Sequence, residues 1–304
     1  MFTYINPLYI NFLPSSVASI TLAVIFFTLS SLHIALLKYT KRLFAIPFIL
    51  GGLAEVAGYI ARTVSRYDLA NLYAYTAQNI CIFLSPIVLN TGIHWFLGNV
   101  IEASTFVKYS ILRPVHLSYL LAIGDGLGLI FQLWGTVKLI DPDDDDEIRW
   151  SGNIICGGLA IQVVVIGAFF VFASVFHSRL RKHNVINLTK PRLRISWSLS
   201  MLYFAGLLIL VRTAYRIVQY GQILDGYLIN HEWPLFAFDS GPMVVLMAMV
   251  ILWYGMDLDV KEEPNHERAL EIPLDRLASV SHTEALRVKS SFDGRIGQKT
   301  VITV

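Results

Sequence analysis

The chain has 304 residues, 55% of them hydrophobic and only 15% charged, against about 45–50% apolar and about 25% charged in soluble domains, so an ordinary water-soluble domain is excluded. Its 24 basic and 22 acidic residues leave a net charge of +2. That surplus is too small for a nucleic-acid partner, and no stretch interleaves aromatic with basic residues as such partners require.

The first fourteen residues contain no Lys or Arg. The basic lead of a secretory signal is therefore missing, and the first apolar run is expected to stay in the mature protein. A helix crosses bilayer hydrocarbon with about 20 mainly apolar residues. Seven segments reach that length: about 15 to 37, 43 to 61, 72 to 97, 115 to 139, 153 to 176, 197 to 219 and 235 to 256. The expected fold class is all-α, a polytopic membrane protein built as a seven-helix bundle over residues 1–256. Residues 257–304 form a polar tail without a further spanning run.

Lys and Arg in short connectors resist crossing the membrane, whereas acidic residues count little. Eleven of them fall on one side: Lys38, Lys41, Arg42, Lys108, Arg113, Arg179, Arg181, Lys182, Lys190, Arg192 and Arg194. The other side holds Arg62, Arg66, Lys138 and Arg149, and a last loop with Asp225 and Glu232 but no basic residue. This alternation predicts an outer N-terminus and a cytoplasmic tail; the expected location is the plasma membrane, with an internal membrane as the alternative.

The acidic run from Asp141 to Glu147 lacks the Gly and terminal Glu spacing of a calcium-binding EF-hand loop, so a solvated outer loop is expected there. Asn187-Leu188-Thr189 has the form of a glycosylation sequon, but it falls in the most basic, cytoplasmic connector. Cys81 and Cys156 are too few for a disulfide framework or a structural zinc site, and read as two buried thiols.

An ionisable group at the centre of a spanning helix costs about 2.5–3.5 kcal/mol on insertion scales, so it needs a partner, water or a role. This chain has Glu55 in the second span, Asp125 and Gln132 in the fourth, Arg212 and Arg216 in the sixth and Asp239 in the seventh. Gln78, Asn79, Asn90 and His94 lie in the third. Helical spacing places Glu55, Gly58, Tyr59 and Arg62 on one face; Asp125, Gly128, Gln132 and Gly135 on another; Arg212, Tyr215, Arg216 and Gln219 on a third. Glu55, Asp125 and Asp239 are expected to balance Arg62, Arg212 and Arg216 within a polar cavity in the outer half of the bundle. Such a cavity would receive an amphiphile's head group, the guanidiniums suiting phosphate or carboxylate and the carboxylates an amine. His94 reads as a hydrogen-bonded core residue, and Gly51, Gly52, Gly157 and Gly158 as packing notches.

Several chemistries are absent from the sequence. No glycine-rich run ends in Gly-Lys-Ser or Gly-Lys-Thr, so the P-loop of nucleotide hydrolases is missing. The eight histidines are scattered, without the paired spacing of a zinc hydrolase. The seventh span contains no lysine for a Schiff base. No catalytic residue, metal or cofactor is expected, and transport, lipid handling or sensing are left.

Taken in order, Glu55-x-x-Gly58-Tyr59-x-x-Arg62, Gln78 with Pro86, Asp125 with Gln132 and Gly135, Gly158 with Gln162, Arg212-x-x-Tyr215-Arg216, and Glu232 with Asp239 resemble the fungal lipid-translocating exporter family. That family includes the aminocholesterol-resistance and sphingoid long-chain-base resistance proteins. Gln219 stands where the family pattern tends to have Glu. The resemblance implies a seven-helix translocase of amphiphilic lipids such as sphingoid long-chain bases, conferring resistance to toxic amphiphiles. Its partner would be a membrane lipid or other amphiphile. The expected substrate-binding residues are Glu55, Tyr59, Arg62, Gln78, Asp125, Gln132, Arg212, Tyr215, Arg216 and Asp239. The alternative is a seven-helix lipid or stress receptor signalling through its basic loop and tail.

Overall fold

The computed structural model describes residues 15–67, 72–104, 107–139, 144–183, 195–223 and 227–255. The sequon, the end of the basic connector and the tail lie outside them. All regular secondary structure among the described residues is helical, without a strand. Seven helices are long and apolar enough to cross a membrane: α1 (Ser16–Thr40), α2 (Ala45–Tyr67), α3 (Leu72–Ala103), α4 (Pro114–Lys138), α5 (Asp145–Lys182), α6 (Ile195–Gly221) and α7 (Leu235–Gly255). The chain is a multi-pass membrane protein.

Local chemistry sets the helix ends. Ser15 caps α1, its Oγ accepting from the N–H of Ala18 at 3.3 Å, and Lys41 closes it in the left-handed conformation at φ 54°. Pro114 opens α4, where a missing N–H costs nothing. Residues 141–143 of the expected acidic loop lie outside the described residues, and the structure corrects the rest at α5. Asp144 is the N-cap, with Oδ1 accepting from the N–H of Glu147 at 2.8 Å, and Asp145, Asp146 and Glu147 form the first turn. Carboxylates there complement the positive end of the helix dipole, as Arg179, Arg181 and Lys182 complement the negative end. The helix therefore spans 38 residues rather than the expected 153–176. At ~1.5 Å per residue it outruns the ~30 Å hydrocarbon at both ends. Asp144→Ala is expected to cost about 1 kcal/mol in thermal unfolding of the purified protein, while Asp146→Ala, which removes no cap, should lie within about 0.5 kcal/mol of the parent.

Consecutive helices pack side by side from α1 to α6, α3 meets α6 across the bundle, and α7 closes it against α6 and α1. α3 is the most buried helix and α1 the least. The main core runs through Phe26, Phe48, Leu89, Phe96, Phe169, Met247 and Trp253, with Phe96 stacked on Trp253 at 3.8 Å. A second, smaller core gathers Phe83, Ile155, Leu159 and Tyr220 from α3, α5 and α6. Large side chains such as Val17, Phe27, Ile130 and Val164 face outward, as lipid solvation permits.

Glycine allows the α4–α5 seam to close. A Cβ on Gly158 would meet the Gly128 carbonyl oxygen at 2.5 Å, and one on Gly124 would meet Val165 at 2.5 Å. Gly51 and Gly52 are notches as expected, but Gly157 faces open space. Both cysteines are free thiols and are half-buried rather than buried. His33, unremarked in the sequence, is fully buried. Its Nε2 donates to the Met247 carbonyl at 3.1 Å and its Nδ1 lies 3.0 Å from the Tyr254 hydroxyl, tying α1 to α7.

Candidate functional site

The entrance to α7 is irregular because of a proline. Pro242 has no N–H to give the carbonyl of Phe238, and its ring crowds that carbonyl. The turn Leu235–Ser240 widens into a π-helix, with the Gly241 N–H reaching back to Phe236. Asp239 and Ser240 in that turn are both buried.

Asp239 receives two arginines from α6. Arg216 grips it with both prongs, Nε to Oδ1 at 2.7 Å and Nη2 to Oδ2 at 2.5 Å. Arg212 Nε lies 3.0 Å from Oδ1. The Arg216 guanidinium also sits 5.6 Å from the ring centre of Phe83. All three charged residues are at most 4% exposed.

Arg212 finds its other partner in α3. Pro86 lies inside that helix and offers no N–H to the carbonyl four residues back, which is that of Ile82. Arg212 Nη2 donates to that carbonyl at 2.9 Å. The break that proline makes in one helix is filled by a charged side chain of another.

The remaining charge is balanced from α2 and from the segment before α7. Glu55 is 1% exposed and has Arg212 as its foremost charged neighbour, while its Oε2 makes no hydrogen bond. Tyr59 and Ser240 share a hydrogen bond between their hydroxyls. Arg62 Nη2 pairs with Glu232 Oε1 at 2.8 Å, and the Glu232 carboxylate accepts from the Ser15 N–H at 2.9–3.0 Å. Arg62, Gln78, Arg216, Gln219 and Glu232 border a cavity of about 60 Å³, enough for a few water molecules.

Seven of the expected residues thus come together: Glu55, Tyr59, Arg62, Gln78, Arg212, Arg216 and Asp239. Tyr215 lies at their edge, stacked on Phe238 at 6.2 Å, its hydroxyl without a hydrogen bond. Gln132 packs into the α4–α5 seam against Gly158. Asp125 does not join the charge balance expected of it. It sits on α4, which packs on α3 and α5, and its Oδ2 accepts from Asn90 Nδ2 at 2.7 Å with His94 Nδ1 at 3.4 Å. Glu232 takes its place as the third carboxylate. His94 is buried as expected, but neither ring nitrogen makes a hydrogen bond. Ser240 and the Ile82 carbonyl were missed, the latter signalled by Pro86; Asn90 was marked as a polar residue of the third span, without its partner Asp125.

The family model described as "RTA1 like protein" matches residues 48–258. The chain is 27% identical over 300 residues to the sphingoid long-chain base transporter RSB1 of Saccharomyces cerevisiae (strain Lalvin EC1118 / Prise de mousse), covering 86% of this chain and 78% of that one. It is 25% identical over 230 residues to protoporphyrin uptake protein 1 of S. cerevisiae, covering 75% of each. With protein RTM1 of the same species identity is 26% over 212 residues, covering 69% of this chain and 66% of that one. No solved structure matches. The buried stripes on α2, α6 and α7 all fall within the matched residues, and the chain belongs to the RTA1-like protein family.

Proposed function

We propose that this chain is a transporter rather than an enzyme, and that it carries a long-chain amine such as a sphingoid base, or a related amphiphile, across the plasma membrane. Its N-terminus faces outward on this reading. The observation that carries the proposal is the layer of six buried or part-buried charged residues: Glu55, Arg62, Arg212, Arg216, Glu232 and Asp239. Ionisable groups inside a membrane domain mark substrate pathways, because they cost too much to be kept idle. Glu55, with one carboxylate oxygen unbonded, suits an ammonium head group, while the alkyl chain stays in lipid. The likeness to a yeast sphingoid-base transporter supports that substrate class. The cavity beside the layer, about 60 Å³, has room for an ammonium group but not for the alkyl chain.

Purified full-length protein in liposomes is expected to accelerate flipping of a labelled sphingoid base at least tenfold over empty vesicles, with the lipid's mass unchanged. Folded protein that gives no acceleration overturns the reading. In cells, deletion of residues 262–304 should leave resistance intact. Abolished response with normal surface expression would favour the receptor alternative.

A further inference from the structure

Asp125 and His94 lie outside the guanidinium cluster, and nothing in the transport layer uses them. Asp125 is 0% exposed and His94 1%. One Asp125 oxygen accepts from the Asn90 amide at 2.7 Å, whereas the other makes no hydrogen bond. Both ring nitrogens of His94 also lack one, and Nδ1 stands 3.4 Å from Asp125 Oδ2.

The contrast with Asp239 decides what this pair does. Asp239 has two guanidiniums against it and can stay ionised. Asp125 faces a neutral amide and an imidazole, and a lone carboxylate in so dry a place is too costly to keep. α5 contributes Val165 and Phe169, the latter 5.6 Å from the His94 ring. Arg212 and Arg216 of α6 and Glu55 of α2 act on Asp239 and on one another. Among the described residues, His94 is the one titratable group within ion-pair distance of Asp125.

We propose that Asp125 and His94 form a proton-binding site within the membrane domain. One proton beyond the imidazole's own N–H resides on the pair, either as the Asp125 carboxylic acid beside neutral His94 or as imidazolium beside carboxylate. Both arrangements are neutral overall. Release breaks that O–H or N–H bond, hands the proton to water and leaves one uncompensated negative charge, so it requires the site to open. Where the chain transports, a use that rests on the transport reading, this is the proton whose gradient drives it.

The test uses the full chain in lipid nanodiscs at neutral pH, with aspartate carrying 13C at its side-chain carboxyl and histidine carrying 15N in its ring. The expected result is a carboxylic-acid C=O infrared band that moves on labelling, or an imidazolium 15N signature. The band should vanish in Asp125→Asn and be displaced in His94→Gln; an imidazolium signal should vanish in either. Should Asp125→Asn fail to fold, the labelled parent and His94→Gln answer the question without it. Folded protein with neither signal, or with signals untouched by these substitutions, overturns the site. The signature present without lipid flipping overturns only the transport reading, and flipping without the signature overturns only the proton site.

Discussion

Asp239→Ala is expected to lower stability by about 3–5 kcal/mol, the scale set by stripping one partner from a buried ion pair. The substitution leaves the Arg212 and Arg216 guanidiniums, which now meet Asp239 at 2.5–3.0 Å, facing each other without an anion between them. Lipid supplies no counter-charge. The measurement is the thermal unfolding midpoint of purified protein in detergent, together with the surviving folded fraction. Removing the positive charges as well, in Asp239→Ala with Arg212→Met and Arg216→Met, should recover most of the stability, because packed apolar groups tolerate that site. Transport should not return. An Asp239→Ala protein that unfolds like the parent would mean that the arginines hold no buried charge.

Gly158→Ala is expected to destabilise the bundle by about 1–3 kcal/mol, toward the upper end. The added methyl would meet the Gly128 carbonyl oxygen at 2.5 Å and the Gln132 backbone nitrogen at 3.0 Å. Both obstacles are main chain, so relief requires α4 and α5 to separate along a seam built on close approach. The adjacent residue is the control. Gly157 has nothing within 4 Å of its would-be Cβ, and Gly157→Ala should be neutral or stabilising, since alanine is favoured over glycine in a helix by ~1 kcal/mol. Equal effects at the two positions in the same melting assay would remove the seam as a determinant of the fold.

The seven helices were legible because hydrocarbon thickness imposes one length on every span, and each run announces itself by composition. Helical spacing also put Glu55 with Tyr59 and Arg62, and Arg212 with Arg216, on common faces correctly. Which faces meet is another matter. Asp125 carries the same signal as Asp239, a carboxylate inside an apolar run, yet α4 packs away from α6 and the two acids enter different surroundings. Periodicity orients a side chain about its own axis and says nothing of the neighbour across the gap. Glu232 read as a loop residue and proved to be the counter-ion of Arg62, since its helix has not yet begun. Asp144 to Glu147 stay at the solvated surface but start a helix instead of a loop, because capping, like solvation, favours Asp and only the backbone geometry distinguishes them.

Pro86 gives α3 a property that its length conceals. The carbonyl of Ile82 is held by Arg212 from outside the helix, in place of the one backbone hydrogen bond that residue 86 as a proline cannot give it. Gln78 and Ile82 precede this point and serve the arginine layer, whereas Asn90 and His94 follow it and serve Asp125. The two polar centres of the bundle thus lie on opposite sides of one interruption in α3, and Arg212 occupies the carbonyl that the interruption frees.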